Sequence, residues 1–346
     1  MYNVDKNYCM NSFLQFRFVF DRDKVFKENL IPNRVDRLEK KCKIKNLEDI
    51  EKRIADYVKE NVDDKTALML SSGIDSAIIA RFLPKGTMTF TLKCVADEPT
   101  IDETERAKLI ADMNGLRNEV VEVYWSDYEK YIPVLLDYKR APFHSIEVQI
   151  YKAALRAKEL GYEKLIFGES ADIIFGGLDG LLSKDWSFDE FVNRYNYVPV
   201  DKVLKNPNCI LEPYKDSVYN GNIDAYRFIN KYFFEEAINS YVDSCSCAGI
   251  QFLSPFSEVE LDFPLDLNRI RNGEGKYLLR ELFNKLYPDL DITKKIPMPR
   301  PIGLWLKEWD GPKRNEFIEN CHENIKDDQK WLVYILEYFL NYFGVE

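Results

Sequence analysis

Histidine is scarce in this chain: His144 and His322 are the only two among 346 residues. That scarcity excludes multi-histidine zinc sites and leaves a histidine-based triad little to draw on. No run of about 18 apolar residues exists, and residues 1–20 carry no signal-peptide pattern, so no membrane partner and no export are expected. The seven cysteines are odd in number and irregularly spaced, which reads as reduced thiols in the cytoplasm rather than a disulfide framework. Basic residues are also outnumbered, 48 against 58 acidic, giving a net charge of −10. Such a surface is a poor basis for a nucleic-acid partner held by phosphate neutralisation. What remains for chemistry is carboxylate, lysine, backbone amide and bound cofactor. At 46% hydrophobic residues the chain has enough apolar material for a substantial core.

The periodicity divides the chain in three. Residues 1–45 read as an irregular N-terminal arm, with Phe13, Phe16, Phe18 and Phe20 suiting a strand edge or a packing arm. Residues 46–185 alternate between strand and helix. Asn46 caps a helix carrying Leu47, Ile50, Ile54, Tyr57 and Val58, and strands are expected at Ala67–Leu70, Thr87–Val95, Asn118–Tyr124 and Glu163–Phe167. Helices at Ser76–Leu83, Asp102–Asn114 and Ile146–Leu160 fall between them. This alternation predicts an α/β fold, a parallel twisted sheet with flanking helices. Residues 186–346 hold amphipathic stretches such as Ala225–Ser240, Lys276–Tyr287 and Gln329–Phe343, and read as a helical region packed on the sheet. Cys245 and Cys247, two apart, read as packing residues.

The most informative turn is Ser71-Ser72-Gly73-Ile74-Asp75-Ser76, between the first sheet strand and its helix. A Ser/Gly turn opening a helix presents backbone N–H groups and the positive helix end to an anion. Asp75 would repel a phosphate unless a divalent cation lay between them, which points to Mg2+. The Gly-Lys-Ser/Thr ending of a Walker loop is absent, and an ordinary βα turn is the alternative reading.

The segment resembles the SGGxDS pyrophosphate loop of N-type ATP pyrophosphatases, with Ser72 in place of the first glycine. If that position needs positive φ, Ser72 strains the loop mildly. A second segment, Gly168-Glu169-Ser170-Ala171-Asp172-Ile173-Ile174-Phe175-Gly176-Gly177, resembles the GEGADELFGG motif of the asparagine synthetase and β-lactam synthetase family, with Ile173 replacing its second acid. Three weaker likenesses extend the match: Asp102–Ala107 to a DE-x-x-x-A helix start, Gly249–Glu258 to GVEARVPFLD, and Lys276–Arg280 to KxxLR. Lys294 and Lys295 through Leu306 follow an RPKxGFxxPLGxWL-like segment. The family's glutaminase half needs a cysteine right after the initiator methionine, and Tyr2 stands there, so no glutaminase is expected.

The resemblance implies a PP-loop ATP pyrophosphatase (HUP-like) core using ATP and Mg2+. It places Ser71, Ser72, Gly73, Asp75 and Ser76 on the pyrophosphate and Asp75 and Asp172 on the metal. Adenine is expected at the strand ends, against Leu70, Leu92 and Gly168. Glu169 is implied at the reacting centre as general base, and Lys295 as positive charge for the phosphates. Gln251 and Glu258 fall where the family lines its acyl site, and their departures from the family pattern make aspartate a doubtful substrate. The expected activity is AMP-forming amide ligation. A carboxylate is adenylated and its acyl group passes to ammonia, free or delivered by a separate amidotransferase, or to a small amine. Intramolecular closure, as in β-lactam synthetases, and a non-catalytic ATP-binding homologue are the alternatives.

Overall fold

The computed structural model describes residues 2–34, 41–293 and 298–346. In chain order its principal elements begin with helices α1 (Lys6–Phe16) and α2 (Leu47–Asn61). Three strand–helix units follow: β1 (Thr66–Met69) and α3 (Ile74–Phe82), β2 (Met88–Cys94) and α4 (Thr104–Met113), then β3 (Arg117–Val123) and α5 (Trp125–Lys139). Helix α6 (Ile146–Glu159), strand β4 (Lys164–Ile166) and the short α7 (Ala171–Ile174) complete the expected α/β part. Beyond them come α8 (Phe234–Ala248), β5 (Gln251–Leu253), α9 (Tyr277–Leu286) and α10 (Asp327–Tyr342).

The five strands form one all-parallel sheet in the order β5-β4-β1-β2-β3. All four residues of β1 are buried, because helices cover both faces of a sheet built by crossover connections. The strand order turns back between β1 and β4. That reversal is the sheet's topological switch point, and open α/β sheets place their ligand crevice outside the carboxyl ends of the strands there.

Two differences from the sequence reading concern the arm and the sheet. Phe16, Phe18 and Phe20 alternate like a strand, yet Phe13 and Phe16 lie on α1, fully buried. Asp5 caps that helix by accepting from the Tyr8 amide at 2.9 Å, and Arg17 ends it in a left-handed conformation (φ 67°). Phe18 and Phe20 fold back so that both rings lie 6.3 Å from Phe16. Strand β5 comes from the region read as helical and extends the sheet beyond β4. The helical stretch expected at Ala225–Ser240 is a short helix, a π-helical turn at Ile229–Phe233 and then α8.

Among the described residues, no helix is long and apolar enough to cross a membrane. Helices α1 and α10 share one hydrophobic cluster, through Phe13, Leu14, Trp331 and Phe339, so the arm and the carboxyl end pack together.

Candidate functional site

The loop after β1 is shaped by its own hydroxyls. Ser71 Oγ accepts from the Gly73 amide at 3.1 Å and lies 3.0 Å from Ser76 Oγ, which in turn accepts from the Ser71 amide at 3.1 Å. Ser72 does not adopt positive φ, so its Cβ brings no left-handed strain. Its amide and hydroxyl both donate to Glu103 Oε2, and Arg106 Nε donates to its carbonyl at 3.3 Å. The loop leads into α3, whose first turn carries Asp75.

The loop after β4 runs against it. A Cβ on Gly168 would stand 2.9 Å from the Asp75 Cβ and 3.0 Å from the Ser76 nitrogen, so glycine permits the approach of the two loops. Asp75 and Asp172 then converge on one cation, Lys276, whose Nζ lies 2.7 Å from Asp75 Oδ2 and 3.1 Å from Asp172 Oδ1. Burial alone would lower the Lys276 pKa, but the two aspartates reverse this and hold it above the ordinary lysine value. Glu169 is half-buried in the same crevice. Desolvation pushes its carboxyl up to about 7, helped by the Asp172 charge and opposed by hydrogen bonds from the Ser170 amide and the Tyr241 hydroxyl.

Leu70, Ser71, Ser72, Gly73, Asp75, Ser76, Leu92, Gly168, Glu169 and Asp172 thus line one cleft of about 310 Å3. Glu103, Tyr241, Lys276 and Arg280 line it too, and no site role was expected for any of them. Lys276 and Glu103 lie inside likenesses already visible in the sequence, the KxxLR and DE-x-x-x-A segments. Tyr241 has no such signal, being one of 21 tyrosines.

Lys295 lies outside the described residues, although Thr293 and Met298 on either side of that segment both line the cleft. Gln251 and Glu258 are placed elsewhere. They line a separate pocket of about 290 Å3 with Tyr57, Phe234 and Ser254, and Glu258 pairs with Arg53 at 2.9 Å. Gln251 opens β5 at its amino end, opposite Lys164, whereas the cleft lies at the carboxyl ends. The rings of Phe167 and Tyr241, on the cleft, pack against Phe252, on that pocket.

A groove of about 1910 Å3 adjoins the cleft. Met298 lines the cleft while Pro299 and Arg300 line the groove, and Gly177 of the groove donates its amide to the Asp172 carbonyl. Arg17, His144 and Tyr197 form part of its wall.

The family model described as asparagine synthase matches residues 49–249, more than half of the chain. The chain belongs to the asparagine synthase family. No curated protein matches the sequence. Among solved structures, likeness is found to an NH3-dependent NAD synthetase from Campylobacter jejuni, at 16% identity and TM-score 0.26, over 38% of this chain and 60% of that one. The U34-tRNA thiolase NcsA from Methanococcus maripaludis matches at 11% identity and TM-score 0.29, over 76% of this chain and 88% of that one. An NMN synthetase from Francisella tularensis matches at 14% identity and TM-score 0.26, over 72% and 97%. The alignment spans three-fifths of the NAD synthetase's length.

The donor set suits the magnesium that this family implies. Two carboxylates close enough to share one ammonium can share one metal ion. No group of three or more His, Cys, Asp or Glu side chains able to hold a metal occurs among the described residues. A two-carboxylate site fits Mg2+, which completes its shell with waters and substrate phosphates.

Proposed function

We propose that this asparagine synthase family chain is an ATP-dependent, AMP-forming amide ligase. The reading is carried by one observation: the Ser71–Ser76 loop, the Asp75–Asp172–Lys276 cluster and Glu169 share a single cleft at the sheet's switch point. A carboxylate oxygen of the substrate attacks the α-phosphorus of ATP, forming an acyl-adenylate and releasing pyrophosphate. The Ser71–Ser76 amides and hydroxyls, the amino end of α3, and the Lys276 and Arg280 cations face the charge that builds on the leaving group. Asp75 and Asp172 would hold Mg2+, which supplies Lewis-acid stabilisation of the phosphate oxygens when bound. Lys295 remains part of this proposal as a further cation for the phosphates.

An amine or ammonia then attacks the acyl carbon, and AMP leaves. The nitrogen must lose a proton, and Glu169, with a pKa near neutrality, is matched to accept it. Adenine fits against Leu70, Leu92 and Gly168. The adjoining groove supports an acid or amine much bulkier than aspartate or ammonia, while Gln251 and Glu258 would serve an acyl chain only through the pocket behind Phe252. All seven cysteines are free thiols, which suits a cytoplasmic setting.

The test is pyrophosphate release from ATP and Mg2+ with a panel of carboxylic acids and amines. Absence of nucleotide binding would sink the enzyme reading. An amide product formed without added amine would favour intramolecular closure.

A further inference from the structure

The cation between Asp75 and Asp172 in this structure belongs to the protein. Lys276 Nζ donates to Asp75 and is ion-paired with Asp172, and only 10% of the side chain is exposed. Its placement is built rather than incidental. Lys276 precedes α9 with φ 56°, a left-handed conformation that a non-glycine residue adopts only at a cost in strain. Room for its stem comes from Gly177, where a Cβ would lie 2.8 Å from Lys276 Cδ and 2.0 Å from Asp172 Oδ1. An ammonium and a divalent cation cannot both occupy the space between two carboxylates. The ammonium's donors use the same lone pairs that would ligate the metal, and the two like charges repel at that separation.

We infer that Lys276 is a resident counter-ion that a divalent metal must displace, so that metal and polyphosphate load together. This rests on reading the cleft as a metal–pyrophosphate site. Incoming phosphate oxygens offer the ammonium a second partner within the same cleft. A lysine stem of four methylenes can swing toward them while its backbone stays fixed. Asp75 and Asp172 are thereby released to the metal. Metal binding is weak without phosphate and strong with it, and the coupling is reciprocal. The device offsets one of the two negative charges in the resting protein, where two bare carboxylates would repel each other.

The experiment is Mn2+ titration of the full chain, followed by water-proton relaxation enhancement, which rises when the ion is held on the protein. Wild type, Lys276→Met and Lys276→Arg are compared with and without α,β-methylene-ATP, after circular dichroism confirms folding. Lys276→Gln stands in if the methionine variant does not fold. Without nucleotide, Lys276→Met should bind Mn2+ about 10-fold or more tighter than wild type, while Lys276→Arg stays weak; couplings of about 5–150-fold are usual between linked ligands. With the analogue, wild type should gain affinity by a similar factor and Lys276→Met by much less. Equal Mn2+ affinity in wild type and Lys276→Met, with both forming the ternary complex, would overturn the displacement while leaving the metal site standing. No Mn2+ uptake by any of them even with the analogue would remove the metal site and this inference together.

Discussion

The hydroxyl and the backbone amide of Ser72 both donate to Glu103 Oε2, at 2.8 and 3.0 Å. Both residues are buried, and Glu103 immediately precedes α4, so the pair ties the Ser71–Ser76 loop to the start of the neighbouring helix. The serine that departs from the family's glycine is therefore a structural bond. Ser72→Ala keeps the amide contact and removes the hydroxyl, and a hydrogen bond to a charged group contributes about 1.5–3 kcal/mol. Urea unfolding should show a loss of that order, and Ser72→Gly should lose at least as much despite restoring the family residue.

In the proposed reaction, Glu169 would set the pH dependence of the amine step. Its folded pKa of about 7 is raised chiefly by desolvation, and only the deprotonated form accepts a proton. With an identified substrate pair, the amide-forming rate should rise as pH increases through about 7 and level above it. Glu169→Gln should flatten that limb and slow amide formation by roughly 10²–10⁴-fold, while pyrophosphate release continues. Equal loss of both half-reactions would remove Glu169 from the base role.

Tyr241 hydrogen-bonds Glu169 and, in the proposed reaction, would position it as the base. Its own hydroxyl is held well above the ordinary tyrosine pKa, first by burial, so it stays a donor to Glu169 across the working range. That bond lowers the Glu169 pKa against the desolvation. Tyr241→Phe should move the apparent pKa of the amide step upward, leaving the KM for ATP unchanged. A profile that does not move would reduce Tyr241 to a packing role.

Two neighbouring glycines, neither with positive φ, differ in the space open to a side chain. Gly177→Ala drives a methyl into Asp172 Oδ1 and the Lys276 stem, whereas the nearest atom to a Cβ on Gly275 is 3.5 Å away. Nucleotide affinity measured by calorimetry should collapse in Gly177→Ala and change little in Gly275→Ala.

The sheet and the two loops after β1 and β4 were legible because their signals are local. Parallel strands buried on both faces are apolar runs, and the loops carry serine, glycine and acid at fixed offsets. Lys276 was visible as part of a helix motif, but its partnership with Asp75 spans 201 residues, and no local pattern reports such a contact. Helix α5 went unread because Tyr124 precedes it and Pro133 lies inside it, neither a usual helix signal. Of the two readings of the arm, the strand edge failed, because Phe16, Phe18 and Phe20 mimic a strand across a helix end, while the packing arm agrees with the buried helix. Gln251 and Glu258 follow a motif whose backbone was not foreseen as strand β5, and that strand carries Gln251 to the far end of the sheet from the cleft.

The arm's contribution is itself testable at Arg17, which lies outside the matched family region. Its guanidinium donates to Glu236 and to His144 Nε2, and lies 3.9 Å from the centre of the Tyr197 ring. Arginine has only donors, so His144 accepts at Nε2 as a neutral ring, consistent with burial holding its pKa well below the ordinary value. Glu236 is 5% exposed; desolvation raises its pKa, and Arg17 is the first of the charges opposing that rise. Arg17→Met strands this carboxylate, and breaking a buried pair from one side costs about 3–5 kcal/mol. Without Arg17 the folded pKa of Glu236 climbs further above its unfolded value. Stability is then retained at low pH, where Glu236 is protonated in both states, and lost as pH rises through the folded pKa. Arg17→Met should therefore unfold close to wild type at pH 4, below the unfolded glutamate pKa, and far below it at pH 8. The double variant Arg17→Met with Glu236→Leu should recover most of the loss at pH 8, since no bare charge remains to be buried. A single variant equally destabilised at both pH values would assign Arg17 a packing role against Tyr197 instead.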